Sequence, residues 1–296
     1  MLDYKLIEAL AMVVQEGGFD RAAQKLNLTQ SAVSQRIKLL EEQTGQILLA
    51  RTNPPRPNPA GRRLVKHYLQ VKRLEDDLFD ALSPSDQNRF VVMAVGINGD
   101  SLATWFLEAV RDFLSREQVL LDLRSDDQEQ THRLLKDGEV LGCISVKDQA
   151  IQGCRLEYLG RMDYRMLATP AFAARWFPDG FQAESVRQAP LVIFNRRDEL
   201  HLQYFNRALG HVPTPLPGHY LPSSERFVDF IGSGLAYGML PDQQSATLLA
   251  AGHLVDLWPA CHVPVRLYWH CWNLKSRLLD GFTGHLVRRA RSILPA

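Results

Sequence analysis

No run of this 296-residue chain stays apolar for the ~18 residues of a membrane helix, so no transmembrane helix is expected. Cysteine is scarce. Cys143, Cys154, Cys261 and Cys271 lie scattered, without a Cys-x-x-Cys pair or a histidine at ligand spacing. That excludes a disulfide framework and a spaced metal site, and reduced, mostly buried thiols are expected. No metal and no cofactor is expected. A nucleophile elbow is missing too: Gly232-Ser233-Gly234 lacks the G-x-S-x-G frame and reads as a helix-to-strand turn. None of the nine histidines has a partner at triad spacing, and His270, in the alternating Tyr268-Trp269-His270, reads as a packed residue; no enzyme is expected. Met1-Leu2-Asp3-Tyr4 carries no cationic stretch followed by an apolar one, so no secretory signal is expected and the cytoplasm is the expected location.

Net charge is nearly absent, at +1, yet it is unevenly spread. Between Arg21 and Arg73 the only acids among eleven Lys and Arg are Glu41 and Glu42, so this stretch carries +9 and the remainder about −8. A basic module joined to a larger acidic body is the electrostatic footprint of a nucleic-acid reader attached to something else.

The basic stretch contains a helix-turn-helix pattern. Leu6, Ile7, Leu10, Val13 and Val14 give helical spacing over Tyr4 to Glu16, with Gly17-Gly18 as its stop. Asp20 to Leu26 makes a short second helix whose Ala22-Ala23 pair allows close approach, and Asn27-Leu28 is the turn. Thr29 is a good N-cap for a third helix, in which Val33, Ile37 and Leu40 form one buried stripe. Gln30, Ser31, Ser34, Gln35 and Lys38 then face outward. Amides and hydroxyls can pair with base edges, while Arg36 and Lys38 can neutralise phosphate. Gln46 to Arg51 reads as a strand, followed by the stiff Asn53-Pro54-Pro55-Arg56-Pro57; together they make a wing with Arg51 and Arg56 aimed at phosphate.

Ala22-Ala23, Leu26, Thr29-Gln30-Ser31-Ala32-Val33-Ser34, Ile37, Leu40-Glu41 and Leu48-Leu49-Ala50-Arg51 resemble the winged helix-turn-helix of LysR-type transcriptional regulators. Downstream, Gly61 to Leu82 holds a seven-residue repeat, with Leu64, Val71 and Leu78 on one seam position and His67, Leu74 and Ala81 on the other. Ser83-Pro84-Ser85 reads as a hinge. The resemblance implies a linker helix that pairs two subunits.

After Arg89 strands and helices alternate, which indicates α/β with a largely parallel sheet. Expected strands are Phe90–Gly96, Val119–Leu123, Val140–Val146, Tyr164–Ala168, Leu191–Phe194, Gly234–Pro241 and Arg266–His270. Expected helices are Ser101–Leu114, Thr131–Lys136, Glu225–Gly232 and Gly281–Leu294. The chain is expected to cross into a second lobe near Leu159-Gly160-Arg161. The resemblance makes the whole an α+β multidomain protein: a winged helix-turn-helix over 1–59, a linker helix over 60–83 and a two-lobed, periplasmic-binding-protein-like effector domain over 90–296. Lobe I would comprise 90–161 and 266–296, and lobe II 162–265.

Ligands of open α/β sheets gather where strands end and helix N-termini offer free N–H groups. Four such places stand out: Asn98 to Thr104, with Asp100 and Ser101; Ser125 to Gln128, with Asp127; Asn195 to Glu199, with Asp198; and Ser223-Ser224-Glu225. Ser145, at the end of another strand, is a fifth candidate. Every one of the four carries a carboxylate, which suits a ligand bearing both an ammonium and a cationic side chain. Asn98 to Trp105, Gly138 to Gly142, Ser223-Ser224-Glu225, Leu267 to His270 and the Arg51 to Pro57 wing are similar to one branch of the family, the arginine- and lysine-responsive activators of exporter genes. Gly99 and Cys271-Trp272 depart from that branch. It implies a basic amino acid as effector, duplex DNA and RNA polymerase as partners, and a homodimer or homotetramer. A two-lobed body alone would also suit a solute-binding protein, against which the basic amino-terminal module speaks.

Overall fold

The computed structural model describes residues 3–50, 52–82, 90–125 and 131–296. Helix α1 (Tyr4–Glu16) starts where the Asp3 carboxylate accepts from Lys5 N–H at 2.9 Å and stops at left-handed Gly17. Helix α2 (Phe19–Leu26) ends at Asn27, which takes φ of 53° and turns the chain into α3 (Gln30–Thr44). Thr29 caps α3, its Oγ1 accepting from Ala32 N–H at 3.2 Å. Val33, Ile37 and Leu40 enter a core with Ile7, Leu10, Val13, Ala22 and Ala23.

The wing is a two-residue antiparallel ladder, β1 (Leu49–Ala50) against β2 (Arg56–Pro57). The expected strand from Gln46 is therefore much shorter. Glu41 Oε1 accepts from Leu48 N–H at 2.8 Å and from Leu49 N–H at 3.3 Å, and Pro57 opposite Leu49 has no N–H to donate. Arg51 lies outside the described residues.

Helix α4 (Pro59–Leu82) begins with proline, whose missing N–H costs nothing in a first turn. Asn58 Oδ1 accepts from Gly61 N–H at 2.8 Å, and Gly61 must stay bare because a Cβ there would sit 2.3 Å from the Leu48 carbonyl oxygen. The amino-terminal half of α4 packs on its own domain: Val65 and Tyr68 are buried, and His67 Nε2 meets the Tyr4 hydroxyl at 2.8 Å. The expected seam thus divides. Leu64 packs on the amino-terminal core and His67 bonds to α1, whereas Leu74, Leu78, Phe79 and Leu82 stand exposed toward the other end. Ser83-Pro84-Ser85 lies outside the described residues.

Lobe I opens with β3 (Val91–Ile97), α5 (Gly99–Ala103), α6 (Phe106–Leu114), β4 (Val119–Ser125), α7 (Thr131–Lys136) and β5 (Gly142–Ser145). The single helix expected over Ser101–Leu114 is two, broken at Thr104, whose backbone (φ −118°, ψ −77°) leaves the helical path while its hydroxyl donates to the Asp100 carbonyl at 2.6 Å and Trp105 enters the core. Strand β6 (Cys154–Ala168) crosses into lobe II, which holds α8 (Pro170–Trp176), α9 (Ala183–Gln188), β7 (Leu191–Ile193), α10 (Leu200–Leu209), β8 (Gly218–Tyr220), α11 (Ser224–Gly232), β9 (Tyr237–Pro241), α12 (Asp242–Ala250) and β10 (Val255–Asp256). Strand β11 (Val263–Trp272) returns, and α13 (Arg277–Ile293) closes the body.

The sheet has 9 strands in the order β4-β3-β5-β11-β6-β9-β7-β8, with β10 on β6. The pairs β3–β4, β3–β5, β7–β8 and β7–β9 are parallel, but β6 and β11 run antiparallel to each other, β11 to β5, and β6 to β9 and β10, so the largely parallel expectation fails at the crossing. A register shift between Leu267 and Tyr268 lies opposite Gly160, whose φ is 140°. The short strands expected at Tyr164 and Arg266 are parts of these two long ones. Ser233 and Gly234 form the helix-to-strand turn between α11 and β9.

Candidate functional site

Two places concentrate unexplained polar groups. The first is the outer face of α3. Gln30, Ser31, Ser34, Gln35 and Lys38 are exposed and Arg36 is half-buried, while the buried stripe anchors the helix from behind. Thr29 is committed to the cap, and its Oγ1 also lies 3.0 Å from Ser31 Oγ. Lys38 stands 3.9 Å from Glu42, both exposed, a pair too solvated to hold the cation back. Arg56 projects from β2, exposed, at the wing. A convex helix carrying amides, hydroxyls and cations, flanked by a basic wing, has the shape and chemistry of a major-groove reader.

The second is a cavity between the lobes. Its polar lining is Asn98, Asp100, Tyr164, Asp198, Ser224 and Gln244, and Val192, Phe194, Phe227 and Met239 supply apolar wall, with His201 beside them. Strand β3 delivers Asn98 and Asp100 at the tip of α5, and α11 presents Ser224 in its first turn. Asp100 joins the lobes: it accepts from the Ser224 hydroxyl on one oxygen and from the Tyr164 hydroxyl, 2.5 Å away, on the other. Gln244 Nε2 in turn donates to Ser224 Oγ at 3.3 Å. Burial and the adjacent Asp100 carboxylate hold the Tyr164 phenol well above its ordinary pKa, so it stays a donor. Asp198 organises its own loop, accepting from Phe194 N–H at 3.4 Å and from Leu200 N–H at 3.0 Å.

Several buried atoms here find no protein partner: Asn98 Oδ1, Gln244 Oε1 and His201 Nδ1. Burial pushes the His201 pKa down to about 4, against the pull of Glu199, so the imidazole is neutral and can accept a hydrogen bond. Among the described residues, no lysine or arginine lines the cavity.

Not every expected residue reaches the cavity. Asn98, Asp100, Asp198 and Ser224 line it. Ser101 is wholly buried and does not line it, Thr104 is occupied with the Asp100 carbonyl, and Ser145 is buried with its Oγ accepting from Lys147 N–H at 3.3 Å. Ser223 precedes α11 without lining the space, and Glu225 points to solvent because the helix turns it away. Asp127 lies outside the described residues. Tyr164, His201 and Gln244 were missed by the sequence reading. Gln244 follows a strand exit into a helix and fits the rule that found the others; Tyr164 and His201 carry no such mark.

Comparison with known proteins agrees with both halves. The model of the bacterial regulatory helix-turn-helix protein, lysR family, matches residues 4–62, and the LysR substrate binding domain matches residues 92–291. The HTH-type transcriptional regulator ArgP of Pseudomonas aeruginosa (strain UCBPP-PA14) is 45% identical over 291 residues, covering 98% of this chain and 96% of the relative. Among solved structures, ArgP from Mycobacterium tuberculosis superimposes with a TM-score of 0.90 at 36% identity, covering 100% of both chains. Full-length LysG from Corynebacterium glutamicum, with bound effector arginine, gives 0.81 at 29% identity, again over 100% of both. These relatives are regulators rather than enzymes. With a helix-turn-helix and wing followed by a two-lobed LysR substrate binding domain, and relatives alike over nearly its whole length, the chain belongs to the LysR family of bacterial helix-turn-helix transcriptional regulators.

Proposed function

We propose that this regulator senses lysine or arginine in the interlobe cavity and transmits their presence to DNA bound by α3. The observation that carries the reading is a cavity furnished with acceptors: the Asp100 and Asp198 carboxylates, and the partnerless Asn98 Oδ1 and Gln244 Oε1. Acceptors of this kind ask for a ligand rich in N–H donors, and two carboxylates suit two cationic ends. The first turn of α11 offers backbone N–H groups to an α-carboxylate. Arginine bound to the LysG structure supports the same chemistry in a relative.

The cavity volume is about 60 Å³, room for a few waters at most. A basic amino acid therefore enters by parting the lobes, and the Asp100–Ser224 bond is the contact its ammonium would replace. Calorimetric titration of the full chain with the twenty amino acids tests this. Lysine or arginine is expected to bind, with a neutral isostere such as citrulline much weaker; tighter binding of an acidic or apolar amino acid would overturn the reading.

At the other end, Gln30, Ser31, Ser34 and Gln35 read base edges from the major groove, with Thr29 fixing the helix that carries them. Arg36, Lys38, Arg51 and Arg56 contact phosphate. The exposed Leu74, Leu78, Phe79 and Leu82 on α4 form an apolar strip suited to a second copy of the same helix. Pairing sets two reading helices on two half-sites, as a homodimer or as a homotetramer of two such pairs. The functional division is then 1–59 for DNA, 60–83 for pairing and 90–296 for sensing, in the cytoplasm, with RNA polymerase as the recipient of the signal.

A further inference from the structure

Among the described residues, the first turns of α4 touch both the wing and lobe I. Arg62, in the first turns of α4, points its guanidinium both ways. Nε lies 3.0 Å from Asp137 Oδ1 in lobe I, and NH1 donates to the Pro57 carbonyl of the wing at 3.1 Å. Asp137 directly follows α7 and begins the turn into β5, the parallel neighbour of β3, whose end carries Asn98 and Asp100. The same turn is pressed against α4 one helical step on: a Cβ on Gly138, at φ of 79°, would lie 2.8 Å from Lys66 Cβ. Leu69 packs against the cores of both domains.

A single side chain thus touches the strand that bears Arg56 and the turn beside the sensing sheet. We infer that Arg62, held by Asp137, is a positioning residue that couples movement of lobe I to the placement of the wing. When the lobes part, the Asp137–Gly138 turn moves with lobe I, and the guanidinium carries the shift to Pro57 and so to Arg56. The pair is about two-fifths exposed on each side, so its coupling is modest, about two- to fivefold rather than orders of magnitude.

This rests on the proposal that a basic amino acid alters DNA contact, and the test separates the two. Operator affinity of the full-length protein is measured with and without saturating arginine or lysine, for wild type, Asp137→Ala and Asp137→Glu. The quantity of interest is the ratio of the two affinities. It is expected to move about two- to fivefold toward one in Asp137→Ala and to return in Asp137→Glu, which restores a carboxylate for Arg62. Because binding linkage is reciprocal, the effect of operator on effector affinity should change by the same factor. A ratio in Asp137→Ala equal to that of wild type overturns the inference, even if both affinities fall together, since the contact is then only a static brace. A ratio of one in wild type itself overturns the effector reading and the joint with it.

Discussion

On α3 the polar side chains of Gln30, Ser31, Ser34 and Gln35 stand exposed to solvent. In the cleft, Asn98 Oδ1, Gln244 Oε1 and His201 Nδ1 are sealed from solvent with no protein partner. Each such atom costs about 1–3 kcal/mol while unsatisfied. The contrast matters for how each site works. An exposed reading face can be changed with little effect on folding, and much of its affinity comes from phosphate neutralisation. A buried acceptor cluster is matched to one kind of guest, and its specificity lies in what it leaves unpaired without that guest.

The largest effect that would sharpen this contrast is expected at Asp100. Asp100→Asn keeps the size of the side chain but removes the charge proposed to face the effector's ammonium. Effector affinity should fall by about 30-fold or more, the usual cost of removing one member of a buried charged pair. Operator affinity without effector should stay within about twofold of wild type. Calorimetry for the first and a DNA-binding isotherm for the second decide it; a parallel loss of both would mean the two regions do not act separately.

Effects on the reading face should be smaller and of two kinds. Arg56→Ala should weaken binding to every duplex alike and lower the slope of log affinity against log salt by about one. Gln30→Ala should leave that slope unchanged and erode the preference among sequences, by about 1–3 kcal/mol at the base pair it touches. Binding isotherms on operator and scrambled duplexes at several salt concentrations separate them. If Gln30→Ala lost affinity for both duplexes equally, the placement of α3 in the groove would be wrong.

Legibility in the sequence followed the same division. The helix-turn-helix was readable because its determinants are local: Thr29 caps within three residues, Asn27 and Gly17 take left-handed turns where the chain must reverse, and one stripe fixes the face of α3. Glu41 shows where local reading stopped. In the sequence it is one of two acids among many cations, and only the fold shows it holding the wing by the Leu48 and Leu49 amides. In the cleft, residues at strand ends before helices were legible, namely Asn98, Asp100, Asp198 and Ser224. Tyr164 was not, because its place depends on β6 running unbroken from one lobe into the other. His201 was not, because it reaches the cavity only through the packing of α10. Ser145 shows the rule failing in the other direction, since that strand end is turned inward.

His201 also supplies the smallest and most discriminating comparison, since burial makes a cleft residue sensitive to pH through folding while the exposed DNA face is not. In the unfolded chain its imidazole takes a proton near pH 6.5; in the fold burial delays this to about pH 4, with only Glu199 opposing. Between those values the unfolded state binds more protons, so stability falls as pH drops through 6.5 toward 4. At pH 7.5 both states are deprotonated and the residue contributes no pH dependence. At pH 5.5 the loss amounts to about 1 kcal/mol. Denaturant unfolding of wild type and His201→Leu at the two pH values isolates it, because other buried groups such as His270 are common to both proteins. Wild type should lose about 1 kcal/mol more than the variant on going from pH 7.5 to 5.5. An identical loss in both would show that the imidazole is already hydrated or charged in the fold. The cavity would then lack one of its buried acceptors, and the contrast with α3 would be weaker by that residue.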